Sequence, residues 1–419
     1  MMMTTIDNLE TTSLISSIPE IALVLELGCL LQKLRVDAST LEVALGRVIQ
    51  HLGLEGTIFA IPTGFFAALR KEGSHSKTYL MRVRGGSPNL KRLAEAETLV
   101  DLLLSGELDV TSAREQLAKL ATRQARFGFW SKTVASGLAA MGMASIWSGS
   151  WSDRWWGLIV GLLVGLGVNL AEKHTKTASL APFIAGAISA FVSCFVFHVA
   201  PSTHYFTIVI GGIVCLIPGF ELLVAMQELG TGNLVSGTAR MAGAGLIFIF
   251  LTIGMIGGQQ FGTYLWPQRH HKVILLVSRF PEIVIPSLTI VALAYLIIFQ
   301  GRLTDYGWTL LVGILTWYGN YFCTIKIGDI ASAGVTTLVL GAGCNYYAQR
   351  SRNPEIVILL PAILLILPGS LGIHGLTSIV DAQASTVMGI QTGFTYFYVT
   401  VALMLGLLTA NALVSRRTF

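Results

Sequence analysis

Hydrophobic residues are arranged in two different ways along this chain, and the change comes near Trp130. Before that point apolar residues recur at spacings of three and four, as in IALVLELGCLLQKL at residues 21–34, a pattern typical of amphipathic helices. After it, apolar runs of about twenty residues follow one another, which is the length that a helix needs to cross the hydrocarbon core of a bilayer. The pattern predicts a soluble part followed by a membrane part.

The soluble part is predicted to be a small α+β domain at residues 13–126, after a disordered N-terminus at residues 1–12. We expect two helices, then short strands around turns, then two more helices, at residues 20–34, 39–52, 56–70, 77–85 and 89–124. Asn89 is a predicted N-cap, as is Thr111 or Asp109. Pro62-Thr63-Gly64 is predicted to be a turn that ends a strand; the alternative is a contact surface for the membrane part.

The remaining chain contains ten apolar segments of about the length of a membrane-spanning helix. They lie at residues 130–149, 155–171, 180–199, 205–226, 239–258, 284–300, 307–325, 327–346, 355–374 and 391–414. Five of them fall in residues 127–260 and five in residues 284–415, with a connecting segment at 261–283. The fold class that follows is a multi-pass α-helical membrane protein of about ten helices with an α+β N-terminal domain.

Composition and charge agree with this division. Only 12% of the residues are charged, and 29 of the 51 charged residues lie in the first 132 positions. Lysine and arginine are commoner in the short loops on the side of the soluble part, which predicts that both termini lie in the cytoplasm. We expect the membrane to be the plasma membrane. Basic residues do not alternate with aromatic ones along any stretch, which argues against a nucleic-acid partner. The five cysteines lack metal-ligand spacing, and we expect no metal or other cofactor.

Two of the predicted spans carry a Pro-Gly pair. Pro218-Gly219 lies in the fourth span and Pro368-Gly369 lies in the ninth, 150 positions later. Because five is an odd number, two consecutive five-span copies enter the membrane in opposite directions. The sequence therefore predicts a pair of inverted repeats.

The Pro-Gly break predicts a binding site. Proline lacks an N–H and crowds the preceding turn, and unsatisfied backbone in hydrocarbon is costly, so such breaks persist where protein or a watered cavity resolves them. We expect Pro218 and Gly219, matched by Pro368 and Gly369, to present free amides to the carboxylate of a substrate. Glu221 then meets an ammonium group or carries a proton. The alternative is a simple proline kink with Glu221 near the membrane interface.

Other polar residues carry weaker predictions. Asp329 is a candidate coupling residue, but Lys326 lies three positions away on one predicted helical face, so the two side chains can simply neutralise each other. The soluble part contains no nucleophile elbow, HExxH motif or phosphate loop. It does contain a basic cluster, which is either a solvated face or a contact for anionic lipid headgroups. This cluster consists of Arg82, Arg84, Lys91 and Arg92.

Three blocks of the sequence resemble the threonine/serine exporter family. They are Pro62-Thr63-Gly64, Asn89 to Arg92, and the stretch from Pro218-Gly219 through Ser236-Gly237 to Arg240. The layout is similar too, with a soluble N-terminal domain before about ten spans, and the likeness runs from about residue 15 to the C-terminus. The chain departs from the family pattern at two places. Ala67 and Ala68 stand where members often have a serine, and Gln227 and Glu228 stand where many have an Arg-Asp pair.

The resemblance implies a secondary transporter, and not an enzyme, that exports threonine or serine by proton antiport. Its coupling and gating candidates are Glu221, Glu228, Arg240 and Asp329. Some relatives are associated with dicarboxylate export, so a dicarboxylate such as succinate is the alternative substrate. A membrane-anchored enzyme or sensor is the alternative function. The expected partners are the small-molecule substrate, membrane lipid and further copies of the chain.

Overall fold

The computed structural model describes residues 3–5, 18–267, 281–366 and 386–415, apart from positions 84, 87, 149, 175 and 352. Pro368 and Gly369, the second predicted break, lie outside the described residues. Most of the described chain is helical, with one small sheet near the N-terminus.

In the first part of the chain, the described residues form four helices and four strands. They are β1 (Met3–Thr5), α1 (Pro19–Lys33), α2 (Ala38–His51), β2 (Leu54–Ile61), β3 (Gly64–Lys71), β4 (Lys77–Arg82), α3 (Leu90–Leu104) and α4 (Val110–Thr122). The predicted helices and strands are confirmed, and so are two caps. Asn89 Oδ1 accepts from the Arg92 amide at 2.9 Å, and the Asp109 side chain accepts from the amides of Thr111 and Ser112.

The sheet has the strand order β1-β4-β3-β2. β2 and β3 form a hairpin that closes at the pair Ile61 and Gly64, so Pro62 and Thr63 are the turn that the sequence predicts. Gly64 is required there, because a Cβ would come 2.2 Å from the Met81 carbonyl oxygen on β4. β1 pairs in parallel with β4 and lies inside the segment 1–12 that we expected to be disordered.

Helix α1 lies at the centre of this α+β region. All its residues from Ile21 to Gln32 are buried. It packs between α2, β3 and α4, where Leu45 and Phe65 contribute to the same apolar core. The prediction that IALVLELGCLLQKL forms an amphipathic helix was therefore wrong: a helix that is apolar on nearly all sides is expected to be buried, and α1 lies inside the region.

The second part of the chain is wholly helical in the described residues. Its helices are α5 (Phe129–Ser148), α6 (Trp151–Glu172), α7 (Ala181–Val199), α8 (Tyr205–Ile213), α9 (Gly219–Gly230), α10 (Leu234–Leu265), α11 (Pro281–Ile298), α12 (Tyr306–Ile327), α13 (Asp329–Ser351), α14 (Ile356–Ile366) and α15 (Thr386–Leu413). Each of the ten predicted segments overlaps one of these helices, with α8 and α9 sharing the fourth; residues 367–374 of the ninth lie outside the described residues.

Five helices in the described residues are long and apolar enough to cross a membrane. These stretches are Trp151–Glu172, Ala178–Val199, Leu234–Leu265, Pro281–Ile298 and Gln391–Leu413. A sixth candidate is the pair α8 and α9, which is bent by 55° at its break. The chain is therefore an integral membrane protein with five or six candidate spans by this criterion, fewer than the ten that the sequence predicts.

Small residues let several helices approach closely. On α10, a Cβ at Gly254 or Gly258 would come 2.2 or 2.3 Å from a carbonyl oxygen of α7. On α15, a Cβ at Gly406 would come 2.3 Å from the Gly334 carbonyl oxygen of α13. Glycines at four-residue spacing are a usual packing device where lipid supplies no hydrophobic drive between helices. In each half of the helical part, the third and the last helix thus pack backbone against backbone.

Helix α10 continues to Leu265 and α11 begins at Pro281, so both ends of the predicted connecting segment 261–283 are helical. One local prediction for these helices was wrong. Lys326 and Asp329 do not share a helix: α12 ends at Ile327, Gly328 follows with a φ of +78°, and Asp329 begins α13. No ion pair joins the two side chains within the described residues. The glycine turn, which a single-helix reading ignores, separates them.

Candidate functional site

The fourth predicted span is broken where the sequence indicates. Helix α8 ends at Ile213, a short 3-10 turn follows at Val214–Leu216, and α9 begins at Gly219. Ile217 is extended and Pro218 precedes the new helix, because proline has no N–H to continue the hydrogen-bond ladder and disfavours helical backbone before it. The break is confirmed, and Glu221 lies in the first turn of α9.

Glu221 is paired with the α+β region. The Arg35 Nη1 atom, just after α1, donates to Glu221 Oε1. On the other side, Arg240 Nη1 on α10 lies 3.6 Å from Glu221 Oε2. The Arg35 side chain is 40% exposed and that of Glu221 is 20% exposed, so this pair is open to solvent from one side.

Glu228, two turns further along α9, is held more firmly. Its side chain is 2% exposed, and its Oε1 accepts from the Ala38 amide at 3.0 Å and from Arg240 Nε at 3.1 Å. Arg240, itself 9% exposed, also donates from Nη2 to the Val36 carbonyl oxygen at 3.2 Å. We name this set, Val36, Ala38, Glu228 and Arg240, the α9 dock. It attaches the start of α2 to the membrane helices.

Strand β2, at the edge of the sheet, lies beside α10. The Ala60 amide donates to Glu42 Oε1 at 2.8 Å, and the Ala60 carbonyl oxygen accepts from Ser236 Oγ on α10 at 3.1 Å. At the next residue, Gln32 Nε2 donates to the Ile61 carbonyl oxygen at 2.7 Å. These bonds satisfy backbone groups that an edge strand otherwise leaves open. The contact with the membrane part is thus made at Ala60, two residues before the turn at Pro62.

The neighbouring glycine explains how α9 and α10 come together. A Cβ at Gly237 would come 2.8 Å from the Ala225 carbonyl oxygen. A larger residue would separate the two helices that carry Glu228 and Arg240, so the small residue keeps the buried ion pair within reach.

A second contact joins the α+β region to α11. The Leu90 and Lys91 amides, in the first turn of α3, donate to the carbonyl oxygens of Phe299 and Gln300 at 3.0 and 3.2 Å. The buried Gln300 side chain also exchanges two hydrogen bonds with the backbone of Phe127, at 2.9 and 2.8 Å. We name Leu90, Lys91, Phe127, Phe299 and Gln300 the α11 dock. Carbonyls from the end of one helix thus satisfy amides at the start of another.

A cavity of about 90 Å³ lies between the two docks. We name it the interface cavity; it has room for several waters. Its walls come from the connection between α1 and α2, the start of α3, the first turns of α9, and helices α14 and α15. The charged residues that line it are Arg35, Asp37, Glu97, Glu221 and Glu355. Four carboxylates face one guanidinium, so the cavity favours a cationic group over an anionic one.

The two carboxylates of α9 differ in how firmly they are held. An exposed ion pair such as that of Arg35 and Glu221 contributes about 0–1 kcal/mol. Breaking a buried pair by removing one partner, as at Glu228 and Arg240, costs about 3–5 kcal/mol. Glu221, which lines the interface cavity, is therefore the exchangeable carboxylate, and Glu228 is the fixed one.

The structure brings together most of the predicted site residues of the first half. Glu221, Glu228 and Arg240 form one network, Ser236 and Gly237 lie beside it, and Asn89 lines the interface cavity. Arg92, at the adjoining start of α3, is half-buried, and its desolvation lowers its pKa, which departs from the solvated face expected of the basic cluster. Asp329 is not part of this network; it begins α13 after the α12–α13 turn.

Sequence reasoning missed three contributors: Arg35, Asp37 and Gln300. Two of these residues, Arg35 and Asp37, could have been found from their position in the sequence. Arg35 and Asp37 flank Val36 in a connection of four residues between two apolar helices, where a salt-bridged or capping role is common. Asp37 does cap α2, accepting from the Thr40 amide at 2.9 Å.

No group of three histidine, cysteine or acidic side chains suited to hold a metal ion occurs in the part of the chain that the structure describes. The arrangement is instead an α+β region hydrogen-bonded to membrane helices, one of which is broken beside a carboxylate-lined cavity. These features define an integral membrane protein whose polar centre lies at the junction of its two parts.

Comparisons with known proteins then give the family. A family described as "Putative threonine/serine exporter" matches residues 22–262, and a second described as "Threonine/Serine exporter, ThrE" matches residues 285–413. The chain belongs to the threonine/serine exporter family. The matches cover the α+β region and both halves of the helical part. Both family descriptions are those of exporters.

Two curated relatives illustrate the range of the family. A "Probable threonine/serine exporter" of Mycobacterium tuberculosis is 27% identical over 47% of this chain and 36% of its own length. "Pheromone-regulated membrane protein 10" of Pichia sorbitophila is 22% identical over 76% of this chain and 32% of its own length. The chain thus spans about a third of the length of these relatives. No solved structure matches the chain at a significant level.

Proposed function

We propose that this protein is a secondary transporter that exports small hydroxy amino acids, threonine or serine, by proton antiport. The observation that carries the proposal is the position of Glu221, in the first turn of a helix that begins at a break and on the wall of the interface cavity. The ammonium group of an amino acid is a natural partner for such a carboxylate. The family match supports the same substrate class.

The charges of the interface cavity favour an amino acid over a dicarboxylate. A dicarboxylate needs two cationic partners, whereas Arg35 is the one cationic side chain among the described residues that line the cavity. Four carboxylates around it repel a dianion. An amino acid carries one carboxylate rather than two, and its ammonium group has Glu221 as a partner.

We also propose that the helical part consists of two inverted five-helix repeats. Matching contacts support this: α7 packs on α10 in the first half as α13 packs on α15 in the second, through glycines in both cases. The second helix of each half packs on the fourth, α6 on α8 and α12 on α14. The first helices, α5 and α11, pack on each other, so the halves meet through equivalent elements.

The proposed orientation puts the α+β region and both termini in the cytoplasm of a plasma-membrane protein. Helix ends on the side of that region carry Lys132, Lys173, Arg302 and Arg350, whereas the opposite ends carry Arg154 and Lys326. This excess of positive charge on one side is what the positive-inside rule expects of a cytoplasmic face.

Counterflow in proteoliposomes tests the function. Vesicles that contain the purified protein and unlabelled serine are expected to accumulate labelled serine or threonine, and not labelled succinate. A proton gradient across the vesicle is expected to drive net serine movement. Absence of serine and threonine counterflow from correctly inserted protein would contradict the proposal, and counterflow of succinate alone would favour the dicarboxylate alternative.

A matched pair of variants tests the role of Glu221. Glu221→Gln removes the charge but keeps the shape, and it is expected to abolish proton-coupled efflux while insertion stays normal. Glu55→Gln is the control, because Glu55 lies on β2 and its side chain is 68% exposed. Undiminished coupled efflux in Glu221→Gln would remove Glu221 from the mechanism.

A further inference from the structure

The α+β region contributes a cation to the same carboxylate that the substrate is proposed to use. We propose that Arg35 is an internal gate: its guanidinium holds Glu221 until the ammonium group of a substrate takes its place. The inference rests on the proposed function and adds its regulation. It gives the α+β region a direct role in controlling how the substrate reaches Glu221.

The first argument is that only one of the two carboxylates on α9 can exchange its partner. Glu228 is buried and bound by a buried arginine and a backbone amide, and it does not line the interface cavity. Glu221 is partly exposed, lines the cavity and accepts a hydrogen bond from Arg35, which is itself 40% exposed, while the buried Arg240 lies further off, at 3.6 Å. A ligand that enters the cavity therefore meets Glu221 and Arg35 together.

The second argument comes from the backbone at Arg35. Its φ is +63°, a left-handed conformation that is unusual for any residue but glycine or asparagine. The residue ends α1 as a glycine usually does: the Arg35 amide donates to the Gln32 carbonyl oxygen and the Val36 amide to that of Leu31. An arginine in this strained position is expected to be there for its side chain, which packing alone does not require.

The third argument is that Arg35 keeps a partner when Glu221 is taken. Arg35 Nε donates to the Gly86 carbonyl oxygen at 2.7 Å, and the Gly86 amide donates to the Lys33 carbonyl oxygen at 3.2 Å. The guanidinium can therefore leave Glu221 and stay anchored to its own region. Because one cation replaces another, the exchange leaves no uncompensated charge on Glu221.

The exchange has a structural consequence. With Arg35 released, the connection between α1 and α2 loses one of its two attachments to α9, and the α9 dock remains. The cavity wall formed by that connection is then free to open beside the break. The substrate itself thus loosens the contact that closes its binding site, while the second attachment keeps the region in place.

A cysteine on the cavity wall reports this opening. Gln227 is half-buried and lines the cavity, so a cysteine at this position is expected to become more accessible when the cavity opens. Gln227→Cys is made in the full chain with the five native cysteines removed. The rate at which maleimide labels it is then measured in detergent. Serine or ethanolamine is expected to raise this rate about two- to fivefold, the range expected for release of an exposed ion pair. Succinate is expected to leave it unchanged.

Arginine variants give the matched comparison. Arg35→Gln is expected to show the faster labelling without any ligand, and Arg35→Lys to keep the slow rate. Arg70→Gln is the control, because Arg70 pairs with Glu55 in the same α+β region away from the cavity. Equal labelling in Arg35→Gln and Arg70→Gln would overturn the gate.

Transport kinetics separate a gate from a merely structural arginine. If Arg35 competes with the substrate for Glu221, Arg35→Gln is expected to lower the KM for serine counterflow about two- to fivefold. An unchanged or higher KM would overturn the proposal. If the unaltered protein shows no counterflow at all, the proposed function fails instead. The labelling response to ethanolamine then still decides whether Arg35 is displaced by an ammonium group.

Discussion

Removing the guanidinium of Arg240 tests how strongly the α9 dock holds the two parts of the protein together. In Arg240→Met, the buried Glu228 carboxylate loses one of its two hydrogen-bond donors and its compensating charge. Breaking a buried ion pair in this way costs about 3–5 kcal/mol. Since each 1.4 kcal/mol is a factor of ten, opening of the dock is expected to become about a hundredfold to several thousandfold more frequent.

The Ala38 amide reports this opening directly, because it donates its hydrogen bond to Glu228 Oε1 at 3.0 Å. Hydrogen–deuterium exchange, followed by mass spectrometry on the full chain in detergent, measures protection of the peptide that contains Ala38. Protection is expected to be strong in the unaltered protein and largely lost in Arg240→Met, while peptides from the centre of α1 stay protected.

Two further variants make the result specific. Arg70→Met removes an exposed ion pair with Glu55 and is expected to change exchange at Ala38 very little, because such pairs contribute at most about 1 kcal/mol. Glu228→Gln combined with Arg240→Met leaves no buried charge and is expected to cost less than Arg240→Met alone. Exchange at Ala38 that is the same in Arg240→Met as in the unaltered protein would refute the reasoning.

Two more predictions follow from packing and from burial. Gly254→Ala is expected to lower the unfolding temperature of the solubilised protein, at a cost of about 1–3 kcal/mol, because its Cβ would come 2.2 Å from the Phe183 carbonyl oxygen. Gly257→Ala, with nothing within 4 Å, is the control on the same helix, and equal losses would contradict close packing of α7 and α10. Glu42→Gln is expected to flatten the pH dependence of stability, which unfolding temperatures at a series of pH values measure.

The sign of the pH effect follows from the environment of Glu42. Burial raises the pKa of this carboxyl above its ordinary value of 4.5, and the Ala60 amide that donates to it offsets part of that rise. Between the two pKa values the folded protein binds more protons than the unfolded chain, so stability falls as the pH rises through this interval. Glu42→Gln cannot ionise, and the fall should disappear. A fall of the same size in the variant would show that other groups cause it.

Much of the architecture could be predicted from the sequence, because strong local signals determine it. The helices and strands of the α+β region follow from apolar spacing and from caps such as Asn89 and Asp109. The break at Pro218-Gly219 follows from the missing proline N–H. A break between the spans 307–325 and 327–346 was also predicted, and it lies at Gly328, where a positive φ ends α12.

The partners of the site could not be predicted in the same way. Glu221 was expected to wait for a substrate inside the membrane, yet its nearest partner is Arg35, 186 positions earlier in the chain. Apolar periodicity places helices but gives no information on which loop of a separate region lies against which helix end. The same limit applies to Gln300, whose contact with Phe127 joins positions 173 apart.

The shared hydrogen bonds at Ala60 and at the start of α3 bear on how this protein can be divided. A fragment cut before Phe127 would have a sheet margin without Ser236 and a helix start without the carbonyls of Phe299 and Gln300. This fragment would expose backbone groups that have no hydrogen-bond partner, and it is therefore expected to aggregate. The α+β region and the membrane helices are therefore expected to fold and to be stable only as one chain.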